Sequence, residues 1–201
     1  MGSLHRIAVG VGLTVLMAAT AQADNWQVAK DEGGIKISLS DVVGSQYKAY
    51  RGVTTIKASV GQLRKLQEDV VGACAWIHEC KTQKVLKFDS GKVWTYTQFN
   101  TPWPVTPRDS VLMVTTEEGA DGSLTRKLEG QPTYIPGVDG FVRVTQVDGF
   151  WKFVPKGADQ TEVTYQVHTE PGGSVPSWVA NKFVVDAPFN TLKALKERAE
   201  K

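Results

Sequence analysis

Alternating apolar and polar residues mark the first regular element of the chain. Ile35, Ile37 and Leu39 are separated by lysine and serine, and this period of two predicts a half-buried strand. Residues 47–57 follow a glycine-serine turn and are rich in β-branched side chains. They are therefore predicted to form the returning strand of a hairpin.

The rhythm of apolar positions changes at Ser59, a residue type that often caps helices. Leu63, Leu66 and Val70 follow at helical spacing, and Gly72 supplies a stop signal. We predict a short helix between Ser59 and Gly72.

The central part of the chain has the pattern of several short strands separated by turn residues. Asp148-Gly149 is a typical hairpin dipeptide and is predicted to turn the chain between two of them. Consecutive strands without helices between them favour an antiparallel sheet. The predicted strands cover residues 82–88, 93–99, 110–116, 124–128, 142–147, 150–154 and 161–169.

One long helix is predicted at the C-terminus. A proline and two glycines at 171–173 end the last strand, Ser174 is a candidate cap, and residues 175–199 have helical composition. Pro188 removes one backbone donor inside this helix and predicts a kink near residues 184–186. The predicted fold class is therefore α+β. The pattern alone leaves open whether side chains or a ligand fill the space between sheet and helix.

The first 23 residues have the features of a secretory signal peptide. A basic start at Arg6 precedes an apolar run over 7–19 and the small-x-small sequence Ala21-Gln22-Ala23. The run is shorter than the roughly 20 residues of a membrane span, and an uncleaved anchor is the alternative. We expect cleavage near Ala23, a periplasmic or secreted location, and a single soluble domain over residues 24–201.

The net charge and the absence of common catalytic motifs exclude several classes of function. The formal net charge is +2, and removing the leader would remove one arginine and no acidic residue. Charges of both signs are interspersed, without the basic stripe that nucleic acid binding needs. The sequence contains no phosphate-binding loop, nucleophile elbow or metalloprotease motif. We therefore predict no nucleic acid partner and no cofactor.

Cys74 and Cys80 are the only cysteines. Export would place them where disulfides persist, and a helix end between them would let the chain turn enough to join them. Two free thiols are the alternative. A metal site would need two more ligands, and His78 is the only nearby candidate, so no metal is expected.

Four separate motifs resemble those of START domains, the lipid transfer family related to steroidogenic acute regulatory protein. Residues 102–109, PWPVTPRD, are similar to the family's PWP-x-SPRD segment, and residues 140–143, GFVR, to its G-Y-V-R. Residues 164–176 resemble its TY…TDPGGSIP run, and Trp178, Asn181 and Lys182 match the W-x-x-N-K that follows. The resemblance covers essentially all of residues 26–200.

The resemblance implies a helix-grip fold, in which a curved antiparallel sheet wraps round the C-terminal helix and encloses a hydrophobic tunnel. It also implies a gate in the loop over residues 100–107, where Trp103 is suited to touch a membrane interface; the alternative for Trp103 is packing within a rigid turn. Exchange of a ligand would then require only transient membrane contact by a monomer.

Five residues are the candidates for the ligand site: Arg108, Arg143, Tyr165, Phe183 and Asp186. In the family, arginines at the two motif positions either pair with buried carboxylates or meet a ligand head group. Asp109 and Asp186 are the imaginable partners here, and a salt bridge is favoured because an unpaired buried charge is costly.

The resemblance also argues against cholesterol as the ligand. Sterol-binding members carry an arginine six residues after the one in the PRD motif, and this sequence has Val114 there.

The leading hypothesis is a periplasmic protein that holds one hydrophobic or amphiphilic ligand and carries or senses it. An enzyme of hydrolase or cyclase type is the alternative, and it would need a titratable pair facing the cavity, such as Asp186 with His168 or Tyr165. A third hypothesis is an interaction module whose cavity has collapsed.

Overall fold

The computed structural model describes residues 25–201, so the predicted signal peptide and its cleavage site lie outside the described residues. Ten strands, two helices and a 3₁₀ turn at Gly72–Ala75 follow one another in this part of the chain. The strands are β1 (Gln27–Glu32), β2 (Ile35–Ser40), β3 (Ala49–Ile56), β4 (Cys80–Asp89), β5 (Lys92–Phe99), β6 (Arg108–Glu118), β7 (Leu124–Gly130), β8 (Val142–Arg143), β9 (Gln146–Pro155) and β10 (Thr161–Glu170). The helices are α1 (Val60–Glu68) and α2 (Ser177–Ala199).

The strands form one sheet in the order β1-β2-β3-β10-β9-β7-β6-β5-β4. Every pair along this path is antiparallel, and only the two-residue β8 pairs in parallel, with the start of β6. The predicted α+β class, an antiparallel sheet with a long C-terminal helix, is confirmed. Across residues 25–201, neither helix combines the length and the apolar character needed to cross a membrane.

The N-terminal predictions agree closely with the structure. β2 and β3 form the predicted hairpin, and α1 begins directly after Ser59. The Ser59 hydroxyl accepts a bond from the Gln62 amide at 3.3 Å, and the Gln62 side chain accepts one from the Ser59 amide at 2.8 Å. This reciprocal capping box satisfies two amides at the helix start.

The predicted hairpin at Asp148-Gly149 is wrong, because β9 runs through both residues without turning. Gly149 lies directly opposite Val167 in β10. A side chain there would place its Cβ 2.3 Å from the Gln166 carbonyl oxygen. The glycine is therefore required by the close approach of two strands, and the two residues of β8 are a separate short element.

Helix α2 starts later than predicted, at Ser177, with Pro176 rather than Ser174 in the capping position and no side-chain cap. Its Leu192 and Leu195 are fully buried against β2 and β3. The helix comes so close to β3 that a Cβ at Gly52 would lie 2.4 Å from Leu192 Cδ1. This packing holds one end of the helix firmly on the sheet, while residues nearer its start border an open space.

Candidate functional site

A cavity of about 240 Å³ lies between α2 and the inner face of the sheet. Strands β3, β5–β7, β9 and β10, helix α2 and the segment 100–107 all contribute to its wall. An engineered apolar cavity of roughly 150 Å³ binds benzene, so this space is large enough for a guest larger than benzene. The apolar part of the wall includes Phe99, Leu112, Leu128, Val147, Val167 and Val179.

Aromatic rings form one side of the cavity. Tyr165 lines it and stacks on Trp151, with ring centroids 3.7 Å apart, while Tyr50 meets Tyr165 edge-on at 5.3 Å. Burial raises the pKa of both tyrosines, so their phenols stay protonated at neutral pH. Phe183 lines the cavity from α2. The structure thus brings two predicted ligand-site residues, Tyr165 and Phe183, to one cavity.

Arg108 begins β6 and also lines the cavity, although only 6% of the residue is exposed. Its guanidinium donates to the Thr106 carbonyl, to the Gly172 carbonyl at 3.1 Å and to the Ser174 carbonyl at 3.5 Å. Within residues 25–201, no carboxylate lies within ion-pair distance of it, and its buried Nε has no partner. Burial lowers the pKa of Arg108.

Arg143, unlike Arg108, has a carboxylate among its hydrogen-bond partners. Its Nε and Nη2 donate to the two carboxylate oxygens of Asp109 at 2.8 and 3.0 Å. The remaining donors reach three carbonyls, those of Pro132, Ile135 and Pro136, at 2.7–3.1 Å. The bond to Asp109 raises the pKa of Arg143. Arg143 is not among the residues that line the cavity, and its contacts are those of the favoured structural salt bridge.

Asp186 is partly buried on α2, but it does not line the cavity, and no ion pair in the described part of the chain joins it to Arg108 or Arg143. His168 faces the other side of the sheet, because the alternate residues Tyr165, Val167 and Thr169 line the cavity. Its Nε2 lies 3.3 Å from Glu170 Oε1. Asp186 and His168, one of the pairs that the enzyme hypothesis offered as an example, therefore do not line this cavity together.

The segment 100–107 forms one end of the cavity wall through Thr101, Pro102 and Val105. The Thr101 hydroxyl donates to the Val105 carbonyl at 2.6 Å, which closes this segment into a tight loop. Trp103 is 88% exposed at its tip. The Trp103 ring therefore has few intramolecular contacts, while its neighbours border the cavity.

Cys74 and Cys80 form a disulfide with an S–S distance of 2.01 Å, and neither cysteine is free. Between them, Ile77 and His78 line the cavity. The His78 amide donates to the Thr191 hydroxyl on α2 at 3.1 Å. The disulfide thus joins the ends of a segment that forms part of the wall. No cluster of metal-ligating side chains occurs within residues 25–201.

The sequence analysis missed Arg126, which is only 5% exposed on the inner face of β7. Its hydrogen bond to Gln67 Oε1 on α1 is long, at 3.5 Å, and burial lowers the pKa of Arg126. The period of two at Leu124, Arg126 and Leu128 could have predicted this burial, since all three residues share one face of the strand. Arg126 lies beside Leu128 but does not line the cavity.

Fold and cavity together define a helix-grip protein with an internal apolar site. The family model of the START domain matches residues 13–201. The chain belongs to the START domain family.

Known proteins are similar to this chain over most of its length. An uncharacterized protein of Pseudomonas aeruginosa is 55% identical over 201 residues, the full length of both chains. The crystal structure of a STAR-related lipid transfer protein from Xanthomonas axonopodis is 39% identical, covering 89% of this chain and 100% of its own, with a TM-score of 0.82.

Two more distant structures show the fold alone. Human StAR-related lipid transfer protein 5 is 17% identical over 90% of this chain and 88% of its own, with a TM-score of 0.77. The Zhui aromatase/cyclase of Streptomyces is 14% identical over 76% of this chain and 93% of its own, with a TM-score of 0.53.

Proposed function

We propose that this protein binds one hydrophobic or amphiphilic molecule in its cavity and carries or senses it. The observation that carries the proposal is the open space of about 240 Å³ behind a mostly apolar wall. Burying about ten methylene groups gives roughly 8 kcal/mol. That free energy offsets much of the ~4–15 kcal/mol that association costs, so a lipid chain binds there without covalent chemistry.

The loop around Trp103 is the proposed point of membrane contact and ligand exchange. An exposed indole favours the membrane interface, where its apolar ring and its N–H are both accommodated. Thr101, Pro102 and Val105 in the same loop line the cavity. Insertion of Trp103 into a membrane would therefore bring this end of the cavity next to lipid.

The periplasm is the proposed place of action. The apolar leader with its Ala21-Gln22-Ala23 site supports export. The Cys74–Cys80 disulfide also supports it, because such bonds persist in oxidising compartments and are rare in the cytosol.

Native mass spectrometry of the protein purified from its own compartment tests the proposal. We expect one adduct per chain, with a mass that matches a lipid or another apolar small molecule. Protein that carries no adduct and that also fails to bind an added lipid panel would contradict the proposal.

Transfer between vesicles tests the exchange step. Trp103→Ala should slow transfer, because it removes the proposed interfacial anchor, while leaving thermal stability and equilibrium affinity unchanged. Phe88→Ala is the matched control, since Phe88 is 70% exposed on β4 and does not line the cavity. Equal transfer rates for the two variants and the wild type would contradict a role of Trp103 in ligand transfer.

A further inference from the structure

Arg108 places one unbalanced positive charge on the wall of the cavity. The described residues that line it include no aspartate, glutamate or lysine, and among them Arg108 alone has a permanent charge. Its surroundings are nearly closed to water, because only 6% of the residue is exposed. Transfer of a charge into such surroundings costs several kcal/mol unless a counter-charge is near.

The hydrogen bonds of Arg108 satisfy donors without balancing its charge. Its partners are backbone carbonyls, those of Thr106, Gly172 and Ser174, and its Nε has none in the described part of the chain. Arg143 provides the internal comparison, because its guanidinium combines three carbonyls with the carboxylate of Asp109. One arginine is thus neutralised by the protein, and the other is not.

A guanidinium stays protonated at any physiological pH. The lowered pKa of Arg108, caused by burial, fits a charge without a counter-ion. The described residues supply no acid within ion-pair distance of Arg108, and Arg108 lines the cavity, so an anionic group of a bound ligand can supply the missing negative charge.

We propose that the ligand is a single-chain amphiphile with an anionic oxygen group, a carboxylate or a phosphate, which binds Arg108 while its chain fills the cavity. This inference rests on the proposed lipid-binding function. A space of about 240 Å³ lies below the roughly 300–1,000 Å³ of common drug-sized pockets, which favours one chain over two. The ion pair adds to the binding free energy that the apolar chain contributes, and it makes the cavity prefer anionic over neutral ligands.

Displacement of a neutral fluorescent dye from the cavity tests the inference with ligands of one chain length. The probes are a fatty acid, its methyl ester, an alkyl phosphate and an alkyl trimethylammonium ion, all below their micelle concentrations. The acid or the phosphate should bind about 10- to 100-fold more tightly than the ester, as expected for hydrogen bonds to a charged group. The ammonium ion should bind most weakly. Whichever anion binds more tightly identifies the head group.

Arg108→Gln should lower the affinity for the anion to that for the ester, while the affinity for the ester stays unchanged. Arg198→Gln is the matched control, because it removes the same charge from an exposed residue of α2. Arg108→Lys keeps the positive charge and should keep part of the preference for the anion over the ester. If neither Arg108 variant folds, the affinities of the wild type for the acid, the ester and the ammonium ion still test the inference.

Equal affinity of the wild type for acid and ester, or a preference that survives in Arg108→Gln, would overturn the inference while leaving lipid binding intact. Stronger binding of the ammonium ion would also overturn it. Failure of the wild type to bind any of the four probes would contradict the proposed function itself, and the inference with it.

Discussion

The Arg143–Asp109 pair gives the sharpest prediction about stability. Asp109 is completely buried, and its carboxylate receives two guanidinium bonds of 2.8 and 3.0 Å. Asp109→Asn keeps the size of the side chain but removes its charge. The guanidinium of Arg143 then keeps its three carbonyl partners and loses its counter-ion.

Removal of one partner from a buried ion pair typically costs about 3–5 kcal/mol. With a urea m-value of about 2 kcal/mol/M for a domain of this size, the unfolding midpoint should fall by roughly 2 M. The double variant Asp109→Asn/Arg143→Met should lose less than the sum of the single variants, because the second change removes the charge that the first left unpaired. Urea titration followed by circular dichroism measures all three.

Glu162→Gln is the control, because Glu162 pairs with Lys156 at 3.5 Å on the surface, where such pairs contribute about 0–1 kcal/mol. A loss below about 1 kcal/mol in Asp109→Asn, or strictly additive single variants, would refute the structural role of the pair. Since Arg143 does not line the cavity, folded Asp109→Asn should retain the ligand affinity of the wild type.

Three further predictions test the sheet, the cavity and the disulfide. Gly149→Ala should cost about 2 kcal/mol or more in urea unfolding, because its Cβ would lie 2.3 Å from a backbone oxygen, whereas Gly137→Ala, with open space around its Cβ, should change stability by less than about 0.5 kcal/mol. Ala187→Phe adds a ring to the cavity wall and should lower dye affinity more than about tenfold without loss of stability; unchanged affinity would mean that ligands bind elsewhere. Replacement of both Cys74 and Cys80 by serine should cost about 2 kcal/mol, the chain-entropy value for a loop with a separation of six residues, and an unchanged midpoint would contradict it.

Local signals were sufficient where a single element determines the structure. The alternation at Ile35, Ile37 and Leu39 predicted β2 because alternate residues of a strand share one face, and two of them, Ile35 and Ile37, are buried in the core. Ser59 predicted the start of α1 because its hydroxyl meets a helix amide within three residues. The START motifs then gave the architecture as a whole.

Local signals failed where a distant strand determines the conformation. Asp148-Gly149 has turn chemistry, but the approach of β10 requires a glycine in an extended strand at that point. The strand order could not be derived either, since β3 pairs with β10 across more than 100 residues of sequence. Arg126 was missed because its hydrogen-bond partner, Gln67, lies on α1 and is distant in the sequence.

The division of roles between the two motif arginines follows from strand geometry that the motif letters do not contain. Arg108 and Asp109 are neighbours in β6, and successive side chains of a strand point to opposite faces of the sheet. Asp109 therefore cannot neutralise the arginine next to it. The parallel pairing of β8 with β6 instead sets Arg143 directly opposite Asp109, where the two form their ion pair. The positive charge of the cavity wall is thus a consequence of strand alternation: Asp109 pairs with Arg143 on one face of the sheet and leaves Arg108 without a carboxylate partner on the other.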